Sequence, residues 1–201
     1  MNGVTSEQML QHGIVYKQNY GVAIPCLREI AKQYPQNHDL AQRLWALKIR
    51  ETMILATLLE PEDKFSFENA FEWIAECVQI ELVEQLCMNL LSKLSYTNEL
   101  CCMLIKSDKL WNQITGFILS ARIYQILNEN EVKLIVSEAI EKSETSELHL
   151  YKAIALSLSR LSRKGKDSED FIMKEISIIE HSNVISHQYI LYEVKEEISL
   201  L

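Results

Sequence analysis

The chain has 201 residues, with 20 Lys and Arg against 28 Asp and Glu and a net charge of −8, and is long enough to bury a sizeable core without disulfides. The acidic balance argues against wholesale coating of a nucleic acid, which takes clustered cations that release counterions. Five Gly and three Pro among abundant Leu, Ile, Glu, Ala and Lys predict an all-α chain, since no β-branched run alternates as a strand does.

The opening MNGVTSEQML has no basic stretch leading into an apolar one, and no apolar run is long enough to cross a bilayer. Neither export nor membrane insertion is expected. GVAIPCLREIAKQYP carries Pro25 at the head of a periodic run and Pro35 beyond it. Proline lacks an amide proton, suits a first turn and discourages continuation, so the segment predicts a short helix over 25–34. DLAQRLWALKIRETMILATLLEPED predicts a further helical block that Pro61 ends, capped by Asp39, with Leu40, Leu44, Trp45 and Leu47 along one side. Trp45 and Trp73 are expected to be packing residues.

Beyond Pro61 a helix, a short polar linker, a longer helix and another linker recur at roughly 33 to 37 residues. The later halves stack as ECVQIELVEQLCMNLLSKL, KSDKLWNQITGFILSARIY, KSETSELHLYKAIALSLSRL and EHSNVISHQYILYEVKEEI, each a polar opening followed by a helical stripe. No such pair buries its apolar side alone. The spacing therefore predicts one domain over 1–201, a HEAT-like α-α superhelix of stacked antiparallel helix pairs with a concave surface. GFILSARIYQIL is apolar nearly all round and should be packed on several sides, whereas VISHQYILYEVKEEISLL should turn a charged side outward as a cap.

Cys26, Cys77, Cys87, Cys101 and Cys102 are odd in number, lack a C-x-x-C arrangement and sit mostly in apolar surroundings, which predicts reduced thiols and a cytoplasmic protein. His149, His181 and His187 do not fall at i, i+4, so no metal centre is expected. No Gly-rich phosphate loop or G-x-S-x-G turn is present, and no cofactor is expected.

Two helices carry the candidate chemistry. In QIELVEQLCMNLL, at about 100° per residue, Ile80, Val83, Cys87, Leu90, Leu91 and Leu94 form a core stripe with Glu84 at its edge and Glu81 farther out, solvated. In SELHLYKAIALSLSRLSRKGK, Lys152, Leu156, Arg160 and Arg163 follow on one side and Leu150, Ile154, Leu158 and Leu161 on the other, with Lys164 and Lys166 extending the positive charge. Such a face is either a solvated one whose cations complement the helix dipole or a strip that contacts phosphates. Trp111, after a polar turn, either lines the same surface or is partly core.

GVAIPCLREIAK resembles the G-x-x-x-P-x-L-R-x-I/L-A-K opening of the DNA alkylation repair family, the AlkD-like bacterial DNA glycosylases. LAQRLWALKIRETMILATLL is similar to the family's LW…E…A segment through Leu44, Trp45, Glu51, Leu55 and Ala56, and WNQITGFILSA and YKAIALSLSRL resemble its W-x-x-R and K-A-I/V blocks, all in the family's order. The resemblance implies HEAT-like pairs holding double-stranded DNA on a concave side. It also implies excision of cationic alkylpurines such as 3-methyladenine and 7-methylguanine, in which a carboxylate and aromatic faces stabilise the developing positive charge.

Carried over by position, the family tryptophan falls on Ile80, the aspartate on Glu84, the arginine on Ile114 and the later tryptophan on Leu156. Only Glu84 keeps its chemical type. The reading is a DNA alkylation repair family protein whose catalytic constellation has decayed and which binds nucleic acid through Lys152, Arg160, Arg163 and Lys164, with Ile80, Trp111, Ile114 and Leu156 on the concave face. The alternatives are a glycosylase that still works through Glu84 and a scaffold that grips a protein partner.

Overall fold

The structure is a computed structural model that describes Tyr16 and residues 18–200. The segment before residue 16, weakly periodic in sequence, lies outside the described residues. Eleven α-helices and no strand occur among the described residues, as the composition predicts. They are α1 (Ile24–Ala31), α2 (His38–Ala46), α3 (Arg50–Leu59), α4 (Phe67–Glu76), α5 (Ile80–Asn89), α6 (Thr97–Ile105), α7 (Leu110–Ile123), α8 (Glu129–Glu141), α9 (Leu148–Ser162), α10 (Lys166–Ile176) and α11 (Ile185–Ser199). No helix among the described residues is long and apolar enough to cross a membrane. The helices fall into two compact units, residues 1–95 and 96–201.

In the first unit α1 and α2 pack on α3, and α3 packs on α5. Pro25 stands in the first turn of α1 as expected, but the helix stops at Ala31, before Pro35. Asn37, not Asp39, caps α2: its side chain accepts the Leu40 amide at 2.9 Å, and Asp39 lies in the first turn. The helical block read as ending at Pro61 is interrupted. Lys48 takes a positive φ of 56° between α2 and α3, a conformation that sequence readers expect of Gly or Asn. Tertiary contacts hold it, because its ammonium pairs with Glu76 and lies 5.8 Å from the centre of the Trp45 ring. Trp45 and Trp73 are buried and stack at 3.9 Å, joining α2 to α4, while Leu40 and Leu47 are exposed. At the C-terminus of α3, burial pushes the Glu60 carboxyl upward against hydrogen bonds from His38 and Gln42 that pull it down.

In the second unit α6, α8 and α10 form one layer and α7, α9 and α11 the other. The helices of this second layer are the ones the stacked sequence segments mark, and each contributes an apolar stripe to the core: Leu119 and Ile123 from α7, Ile154 and Leu158 from α9, Ile190 and Val194 from α11. As expected, α7 is buried almost all round. A Cβ on Gly116 would lie 2.6 Å from Ile105 Cγ1 and 2.8 Å from its backbone nitrogen, so glycine is what allows α7 to approach α6 so closely. Ser120 and Ser157 join α7 to α9 at 2.6 Å.

His187 pins the start of α11 to the α8–α9 connection. Ser143 Oγ donates to Ile140 O, so it accepts from His187 Nε2; Ser182 Oγ accepts the Val184 amide and is left to donate to His187 Nδ1. The outward side of α11 is not purely charged, since Ile185 and Tyr192 are exposed on it beside Lys195 and Glu196.

Gly116→Ala should destabilise the protein by about 1–3 kcal/mol through overpacking against backbone, read as a fall in the midpoint of urea unfolding with the slope unchanged.

Candidate nucleic-acid interface and the α5 carboxylates

The first turn of α5 brings Ile80, Glu81 and Glu84 to the surface of the first unit, with the core stripe below. Val83, Cys87, Leu90, Leu91 and Leu94 are buried as expected, and Ile80 is half-buried. Glu81 differs from expectation. Its side chain is 14% exposed and accepts two hydrogen bonds from Arg50, Nε to Oε2 at 2.7 Å and Nη2 to Oε1 at 2.6 Å. A helical wheel assigns Glu81 to solvent because the guanidinium that meets it comes from α3.

Arg50 is 1% exposed, and its third nitrogen donates to Val22 O at 2.8 Å and Glu51 Oε1 at 3.0 Å. Glu51 in turn accepts the Tyr20 and Val22 amides. Burial alone lowers the arginine's pKa, but the hydrogen bonds and charges of Glu81 and Glu51 raise it above the ordinary value. Two carboxylates and a carbonyl thus satisfy one buried guanidinium, as burial of a charge requires. The hydroxyl of Tyr16, its pKa pushed up by burial and by the Glu81 carboxylate, reaches Glu81 at 3.5 Å.

Glu84 is exposed, one turn from Ile80 and from Met88. Neither neighbour presents a ring to a cation. Arg28 of the LREIAK segment donates to Met88 Sδ at 3.5 Å, so the resemblance motif in α1 docks on α5.

In the second unit the layer of α7, α9 and α11 carries the other candidates. Ile114 is 1% exposed and packs in the core, so it lines no surface, and a guanidinium buried there without a carboxylate to meet it would be costly. Trp111 is half-buried, its ring 6.1 Å from that of His149. On α9 the two predicted sides are real. Leu150, Ile154, Leu158 and Leu161 are buried, and Lys152 and the 40% exposed Leu156 face outward, with Arg160 half-buried between the two sides.

Lys152, Leu156 and Arg160 line a groove of about 300 Å³ with Tyr189, Glu193 and Glu197 of α11. Arg163 pairs with Glu197, which raises its pKa, and Lys164 donates to the carbonyls of Tyr124 and Gln125 at 2.9 and 3.2 Å, closing the C-terminal end of α7. Lys166 pairs with Glu169 and Asp170. Among the described residues no ion pair engages Lys152 or Arg160; Lys152 instead lies 5.9 Å from the centre of the Tyr189 ring. Of the four expected phosphate ligands, these two are the cations the groove displays. Tyr189 is the lining residue that the sequence pattern does not single out, because its place in the groove depends on the neighbouring helix α9.

Stacked antiparallel helix pairs of this kind define an α-helical repeat protein. The family profile described as DNA alkylation repair enzyme matches residues 2–187, and the chain belongs to that family. A solved structure described as a new family of proteins related to the HEAT-like repeat DNA glycosylases, with affinity for branched DNA structures, superposes with a TM-score of 0.81 over 97% of this chain and 89% of its own, at 15% identity. The HEAT-like fold expected from the sequence is therefore that of this chain. No curated protein matches it by sequence.

Glu81→Ala, which strands the buried Arg50, should cost about 3–5 kcal/mol, whereas the exposed Glu84→Ala should cost about 1 kcal/mol or less. Thermal unfolding of the two variants side by side reads the difference.

Proposed function

We propose that the protein binds DNA on the α9–α11 face of its second unit and that base excision has been lost. The observation that carries this reading is the pair of groove cations, Lys152 and Arg160, that no carboxylate among the described residues engages. A guanidinium and an ammonium left open beside an exposed leucine form a contact for phosphate. Membership of the DNA alkylation repair family supports DNA as the ligand, and so does the affinity for branched DNA of the structurally similar protein. The loss of chemistry rests on the residues at the family's catalytic positions. Ile80 and Leu156 supply bulk without a π face, and Ile114 lies inside the core. Five cysteines outside any disulfide, three of them buried, fit a protein of the reducing cytoplasm.

A second reading, an active glycosylase, is favoured by the exposure of Glu84 at the position of the family aspartate. The third, a protein scaffold, is favoured by the acidic surface that leaves the chain at −8.

Titration of fluorescent duplex DNA should give saturable binding whose logarithm falls with log salt at a slope of about −2 for two phosphate contacts. Arg160→Ala should flatten that slope by about one. Binding that ignores salt, or that Arg160→Ala leaves intact, overturns the interface. Incubation with methylated duplex DNA should release no free base above a buffer control; release that disappears in Glu84→Gln establishes the enzyme instead.

A further inference from the structure

The groove on α9 and α11 is lined by an aromatic as well as by cations: Tyr189 is half-buried, and behind it Tyr151, outside the groove, lies with its ring centre 5.2 Å away and its plane inclined by 58°. Leu156 adds an exposed aliphatic side beside Tyr189, and the groove between them is about 300 Å³. At the first turns of α7 and α9 a second pair, Trp111 and His149, lies 6.1 Å apart. Helices of one layer run in the same direction, so these rings stand at the same end of the layer as Tyr151. Rings, an aliphatic floor and two cations along one face are what an unstacked nucleotide needs: a surface for the base and charges for its phosphates.

Of the groove's two carboxylates, Glu197 is neutralised by Arg163, and Glu193 is hydrogen-bonded to Tyr189, whose phenol pKa is pushed upward by burial and by that carboxylate. Lys152 rests over the tyrosine ring at the outer limit of a cation–π contact. That is the position an incoming base takes, and the four-carbon stem of Lys152 lets the ammonium move aside to the phosphate.

We infer that this groove receives an unpaired base, stacked on Tyr189 and Leu156 with its phosphates held by Lys152 and Arg160, so that the protein prefers DNA with unpaired nucleotides over perfect duplex. The inference deepens the DNA-binding reading and rests on it.

The test compares a perfect duplex, the same duplex with a two-nucleotide bulge and a single strand of equal length, at one salt concentration, with wild type, Tyr189→Leu and Arg160→Ala. Each variant is first shown to keep the wild-type helical circular dichroism. Wild type should bind bulged and single-stranded DNA about ten-fold more tightly than duplex, a ratio within the range of one base–aromatic stack. Tyr189→Leu should remove that ratio by weakening bulged and single-stranded DNA more than duplex, while Arg160→Ala should weaken all three. A 2-aminopurine placed in the bulge should lose fluorescence on binding wild type and keep it with Tyr189→Leu. Equal affinity of wild type for all three DNAs, or a preference that survives Tyr189→Leu, overturns the stacking site while leaving duplex binding standing. Absence of binding to any of them overturns both.

Discussion

One buried guanidinium organises the first unit. Arg50 sits at the start of α3 with almost no exposure, and it is held by Glu81 from α5, by Glu51 beside it and by the carbonyl of Val22. An unpaired charge in that position costs more than most single contacts return, so the segment around Val22, α3 and the first turn of α5 are fixed together or not at all. This constraint also divides the labour of two neighbouring glutamates. Glu81 is committed to structure, and Glu84, three residues on, is the one turned to solvent.

Pairing also decides which charges the second unit displays. Of the basic residues on and after α9, Arg163 is held by Glu197, Lys164 by the end of α7 and Lys166 by its own helix. On α9 itself, Lys152 and Arg160 are the cations that line the groove, beside a leucine and a tyrosine. A net charge of −8 is compatible with such a site because it needs only a local field.

The sequence made the architecture legible where burial is periodic. Helices α5, α7, α9 and α11 fall inside the four stacked segments to within a residue because each carries an apolar stripe at helical spacing, which is set by the chain itself. Features decided by partners distant in sequence were not legible. The bend at Lys48 has no Gly or Pro to announce it and depends on Glu76 and Trp45. Glu81 reads as solvated until α3 supplies Arg50, and Lys164 reads as a ligand for phosphate until the carbonyls of α7 reach it. Ile114 shows the corresponding limit of a family resemblance: the position can be matched, but the side chain there is core. Tyr189 was not legible because its role depends on the side chains of α9 that line the groove with it.

The most direct measurement of the central claim is hydrogen exchange of the protein with and without DNA at low salt. Protection should appear in α9 and α11, around Lys152, Leu156, Arg160 and Tyr189, with the first unit little changed. Protection confined to residues 24–95, or none anywhere under conditions where the complex is formed, contradicts it.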